Sequence, residues 1–110
     1  MIARTAQIIA LLLTAIAMGA CEGEKPIAAQ FPGPWRDDLK PEIIRTLVAH
    51  QARGCGEFHW RAKDGRTDEF AEYLVYCTRD RVSWTAWLVW PGSGRASGPS
   101  AIDPGLPPPK

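Results

Sequence analysis

Hydrophobic and polar positions change their pattern four times along the chain. An uncharged apolar run covers residues 8–18, and residues 22–34 then show no sustained periodicity. Next comes helical spacing: Ile44, Leu47, Val48 and Gln51 fall at i, i+3, i+4 and i+7, with Ile43 widening the stripe. Asp38 is placed to cap this helix, Pro41 suits a first turn, and Glu42 favours the positive end. Gly54 after Arg53 is a stop signal, so the pattern predicts a helix over 39–53.

From Cys55 the period becomes two. Phe58, Trp60 and Ala62 alternate with His59, Arg61 and Lys63, and residues 64–68 read as a turn. A second strand is predicted over 70–77, a turn over 78–81 and a third strand over 82–90, with Pro91-Gly92 ending it. Centring the first hairpin on Arg66 sets Phe58 opposite Leu74, Ala62 opposite Phe70 and Cys55 opposite Cys77. Centring the second turn on Asp80 sets Tyr76 opposite Trp84 and Leu74 opposite Ala86. One face then gathers Phe58, Trp60, Phe70, Leu74, Tyr76, Trp84, Leu88 and Trp90, with Glu72 as its one misfit. The expected fold class is α+β: one N-terminal helix packed on a three-stranded antiparallel β-meander, a small disulfide-stapled domain over 35–91.

Composition refines this picture at the flanks. Residues 91–110 hold six of the 10 prolines and four of the 10 glycines, which predicts a Pro/Gly-rich disordered tail over 92–110. Within it, residues 92–98 resemble a phosphate cradle only superficially, because Pro99 and Pro104 disfavour the helix such a loop requires, so they read as a flexible linker. Residues 22–34, with Pro26, Pro32 and Pro34, read as an extended tether. The whole chain is 110 residues with 45% hydrophobic side chains, ordinary for a folded protein, and a net charge of +1. A nucleic-acid partner would need a Lys/Arg excess, and none is expected.

The N-terminal run carries an address. Arg4 precedes the apolar residues 8–18, and Gly19-Ala20 follow, in the n-, h- and cleavage-region order of a secretory signal over 1–20. The run is shorter than the ~20 residues a spanning helix needs, which sets it against a retained membrane anchor. Leu13 to Cys21, ending Met18-Gly19-Ala20-Cys21, resembles the lipobox of bacterial prolipoproteins, with Met18 where Leu is usual. The resemblance covers residues 1–21 and implies processing before Cys21, acylation of that thiol (palmitate among the chains) and a lipid-anchored, periplasm-facing envelope protein. Glu22 in place of Asp implies the outer membrane over the inner. The rival is ordinary cleavage and a soluble secreted protein. Loss of Arg4 would leave basic side chains equal in number to the 12 acidic ones.

With Cys21 assigned to lipid, Cys55 and Cys77 remain to form a disulfide in an oxidising compartment. His50, Cys55 and His59 lack a fourth ligand at suitable spacing, so neither metal nor other cofactor is expected, and both histidines read as surface residues. Trp87, with Tyr73, Val75 and Val89, is placed on the outer face of the sheet, an apolar patch suited to a glycan, peptide or envelope-protein partner unless the tether, the tail or a second copy covers it. No nucleophile-elbow, zinc-protease or Ser/His/Asp pattern is present. The sequence therefore predicts a non-catalytic, lipid-anchored binding or structural module. The alternative is a secreted periplasmic small enzyme or thiol-redox protein using Cys55, Cys77 or His59.

Overall fold

Strand pairing starts where the sequence changes period. In the computed structural model, which describes residues 25–110, β1 (Glu57–Ala62), β2 (Tyr73–Thr78), β3 (Trp84–Trp90) and β4 (Arg95–Ser100) form one antiparallel sheet in sequential order. A short helix α1 (Ile27–Gln30) and a longer one, α2 (Pro41–Ala49), precede the sheet. The signal segment 1–20 and Cys21 lie outside the described residues. The sheet thus has four strands and not three.

α2 is shorter than the predicted 39–53 at both ends. Pro41 occupies its first turn, but Asp38 does not cap it. The Asp38 carboxylate instead pairs with Arg36 at 3.0 Å, and its carbonyl accepts the indole N–H of Trp60 at 3.1 Å. At the C-terminus Gln51, at φ 55°, takes the left-handed position that the pattern gave to Gly54. Its N–H donates to the Val48 carbonyl and that of Ala52 to the Leu47 carbonyl, which satisfies the last turn three residues early.

The first hairpin pairs Phe58 with Cys77, Trp60 with Val75 and Ala62 with Tyr73. That is three residues away from the register centred on Arg66. An odd slip turns every β2 side chain to the other face. Tyr73, Val75 and Cys77 therefore share a face with Phe58, Trp60 and Ala62, and β3 adds Trp87 and Val89 opposite Val75 and Tyr73. α2 covers this face with Ile43 and Leu47. Trp87, Tyr73, Val75 and Val89 are at most 5% exposed, so the outer patch expected from the sequence is the main core. The slip arises because residues 63–72 are not a tight turn. They form a 3₁₀ turn at Lys63–Gly65 and an Arg66–Asp68 pair, leaving Phe70 78% exposed instead of opposite Ala62.

The second hairpin differs from expectation by two residues, Tyr76 facing Ala86 and Thr78 facing Trp84, which preserves its faces. Asp80 holds its turn by accepting the N–H groups of Val82 and Ser83 at 2.9 and 2.8 Å. The tail predicted to be disordered supplies β4 and then returns over the sheet. A Cβ at Gly92 would sit 2.0 Å from the Glu69 carbonyl oxygen, and one at Gly98 would sit 2.8 Å from the Trp87 ring. Only glycine admits these approaches.

The second face gathers Leu74, Tyr76 and Ala86 beneath Phe31 from the N-terminal segment and Leu106 from the C-terminal one, all at most 7% exposed. Residues 27–34 are therefore not a free tether, and the folded unit extends past 35–91 at both ends. The Tyr76 hydroxyl donates to the Leu106 carbonyl at 2.8 Å and accepts the Asp103 N–H at 3.2 Å. The Trp35 indole donates to the Pro107 carbonyl at 3.1 Å, and its ring packs against Tyr76, tilted by 42°, at 4.5 Å between centroids.

Two substitutions test this arrangement by chemical denaturation. Trp87→Ser opens the main core and is expected to cost at least about 3 kcal/mol, the scale of large-to-small aromatic changes. Tyr76→Phe strands the Leu106 carbonyl and Asp103 N–H and is expected to cost about 1–3 kcal/mol, lifting the C-terminal segment first. Amide exchange at 101–107 reports that loss.

Candidate functional site

On β1 the odd positions Glu57, His59 and Arg61 face away from α2. His59 is only 9% exposed, packed 5.9 Å from the Trp84 ring, which corrects its assignment to the surface. Its Nε2 lies 2.7 Å from the Glu57 carboxylate, and Arg81 from the β2–β3 turn approaches the same oxygen at 3.5 Å. The hydrogen bond from His59, then desolvation opposing it and the charge of Arg81 supporting it, leave the Glu57 carboxyl below its ordinary 4.5. His50, by contrast, is exposed, with its Nε2 2.9 Å from the Gly94 carbonyl.

These groups edge a cleft of about 700 Å³ between the β1 end of the sheet and the segments at 35–39 and 109–110. Trp35 forms an aromatic wall, Asp37 and Glu57 supply carboxylates, and Arg81 and Lys110 supply cations. The Arg61 guanidinium lies 4.6 Å over the Trp35 ring and donates to the Phe31 carbonyl at 3.3 Å, so it braces that wall. Burial lowers the Arg61 pKa from its ordinary value, and its Nε is buried without a hydrogen-bond partner among the described residues. Among the described residues no Ser, Thr or Cys lines the cleft. The lining combines a ring-stacking surface with groups of both charges.

The sequence candidates separate. Cys55 and Cys77 form a disulfide with Cα atoms 4.5 Å apart, closing 22 positions of chain. Cys77 shares its face with Phe58 and is 1% exposed, whereas His59 points to the opposite face. A thiol–histidine pair is thus not assembled. Trp87 and its three neighbours are core, and the Trp87 Nε1 is buried without a partner among the described residues. Among the described residues no group of three or more His, Cys, Asp or Glu could hold a metal ion, and no helix is long and apolar enough to cross a membrane.

Trp35, Glu57 and Arg81 were missed by pattern reading. One signal was available: the alternation of Glu57, His59 and Arg61 puts three ionisable groups on one face of a strand whose other face is apolar. The approach of Trp35 and Lys110 had no sequence signal. Comparison with protein-family models, with curated proteins and with solved structures finds no match. Function therefore rests on the chain's own residues.

Glu57→Gln offers a test of the His59 pair. A carboxyl whose folded value lies below 4.5 stabilises the fold above that pH, and its contribution is lost as pH falls through the folded value. The gap in stability between the parent and the variant is expected to narrow as pH falls below 4.5. Acid-unfolding curves measure the gap.

Proposed function

We propose that the chain is a lipid-anchored protein of the bacterial cell envelope whose domain is a non-catalytic binding or structural module. The observation that carries the reading is the coincidence of Arg4, the apolar run 8–18 and Gly19-Ala20 immediately before Cys21. The cysteine chemistry supports it. Cys55 and Cys77 are bonded to each other, so neither engages the Cys21 sulfur. A disulfide in so small a domain also belongs to an oxidising compartment. Glu22 after the acylated cysteine favours the outer membrane.

The binding role falls to the Trp35–His59–Arg81 cleft, now that Trp87 is known to be core. An aromatic wall flanked by carboxylates and cations suits a glycan ring or a polar segment of an envelope protein. The thiol-redox alternative draws no support from cysteines that are bonded to each other.

Intact mass under non-reducing conditions tests the proposal. The mature chain is expected to begin at Cys21, to carry acyl mass there and to sediment with membranes. Cys21→Ala is expected to move it to the soluble fraction. An unmodified N-terminus on a soluble parent would overturn the anchor.

A further inference from the structure

β1 is an edge strand, and its free edge is only partly closed. Along an antiparallel ladder, facing residues alternate between exchanging both backbone bonds and exchanging neither. The Lys63 N–H donates to the Glu72 carbonyl, one step beyond the Ala62–Tyr73 pair, so the odd positions of β1 bond β2. Its even positions turn their N–H and C=O groups outward. Trp60 exchanges both of these bonds with Arg36, at 3.0 and 2.8 Å. Phe58 turns the same pair of groups outward two residues earlier, and among the described residues no backbone group meets them from that side. Antiparallel continuation from Arg36 would set Asp38 level with Phe58, but the Asp38 carbonyl bonds the Trp60 indole instead.

The cleft opens where these two segments part, between Glu57–His59 on one side and Trp35, Asp37 and Leu39 on the other. Leu39, two residues before α2, stands 75% exposed at its margin. A strand entering here restores the rung that Asp38 leaves open. Directly paired residues share a face of the sheet. The entering residue opposite Phe58 would therefore point to the side that α2 covers, where Phe58 packs. Its two neighbours would point to the side of His59, where Trp35 lies against Tyr76 and Arg81 approaches Glu57.

We infer that the cleft takes an extended peptide segment of a partner protein, added antiparallel to the free edge of β1, with an apolar residue opposite Phe58 and a polar residue on each side of it. This deepens, and rests on, the reading of the cleft as the binding site. An outward N–H and C=O on one strand residue complement a peptide backbone, which returns one donor and one acceptor at the same spacing. The Trp35 ring is already engaged by the Arg61 guanidinium at 4.6 Å and by Tyr76 at 4.5 Å, which narrows the area on which a sugar could stack. Two carboxylates, Asp37 and Glu57, face two cations, Arg81 and Lys110, so the lining favours neither sign of charge. Backbone pairing and contact with Phe58 and Leu39 supply the affinity.

The test uses the complete mature chain, isotope-labelled and held in detergent micelles. The probes are three end-blocked pentapeptides, Thr-Ser-X-Ser-Thr with X as Val, Leu or Phe, and N,N′-diacetylchitobiose as the sugar. At least one peptide is expected to slow exchange of the Phe58 amide and to shift Leu39 and Glu57 in nuclear magnetic resonance spectra. N-methylation of its central residue removes the N–H that the Phe58 carbonyl accepts and is expected to weaken binding about fivefold or more, the worth of one net hydrogen bond. Leu39→Ser changes an exposed side chain, so it is expected to weaken the peptide while leaving far-UV circular dichroism unchanged. Equal binding of the N-methylated peptide, or no protection of Phe58 by any of the three, overturns the inference. Protection of Phe58 in a dimer without peptide, read by sedimentation, also overturns it and makes a second copy the occupant. Shifts at the cleft from the sugar and not from the peptides overturn the peptide and keep the cleft as a binding site. Silence from every probe overturns both.

Discussion

Burial of β2 on both faces is the constraint around which the rest of the molecule is arranged. All six residues from Tyr73 to Thr78 are buried, and the first five alternate between two separate apolar clusters. A strand of this kind needs cover on each side, and one amphipathic helix supplies only one cover. α2 takes the Tyr73–Val75–Cys77 side. The remaining side, Leu74 and Tyr76, is closed by segments that have little regular structure of their own. Phe31 and Trp35 arrive from before the sheet, and Ile102 and Leu106 from after it. The low-complexity flanks are thus drawn into the fold by the surface they cover.

Tyr76 joins these flanks. Its ring packs against Trp35 while its hydroxyl satisfies two backbone groups of the C-terminal segment. Burial raises the Tyr76 pKa above its ordinary value of 10.0, so the hydroxyl keeps its proton, and the bond it donates to Leu106, throughout the neutral range. Trp35 then bonds Pro107, so that both ends of the domain are secured to one strand and to each other. The disulfide acts on the other side, joining the entry to β1 with β2 beside the α2-covered core. The edges are guarded differently. Arg36 pairs with the backbone of Trp60 along β1, and β4 carries Pro99 on the free edge.

Much of this organisation was legible in the residues themselves. The helix stripe of Ile43 and Leu47, the alternation of Phe58, Trp60 and Ala62, the two hairpins and the Cys55–Cys77 pair all follow from spacing and cysteine count. The register of the first hairpin did not. Residues 64–68 carry strong turn chemistry, which argues for a tight hairpin, yet the chain spends ten residues between β1 and β2. The warning lay in Tyr73–Cys77, a continuous apolar run, because such a run marks a strand buried on both faces. A one-faced sheet was the wrong premise, and it carried Trp87 to the wrong side. The cleft was half visible, as Glu57, His59 and Arg61 alternate on one strand, but Arg81 and Trp35 join them only through the turn and the returning flank.

What the residues determined unaided is therefore local: periodicity, turn chemistry and the pairing of the last two cysteines. Each depends on neighbours within a few positions, or on a count. The tertiary structure decided which face of β2 met α2, whether the Pro/Gly tail ordered, and which ionisable groups met at the cleft. Those outcomes turn on the apolar area left over after the helix and hairpins have packed, a quantity no local pattern contains. Leu74 and Tyr76 would face water without Phe31 and Leu106, and covering them offsets the entropy of ordering segments that would not fold alone.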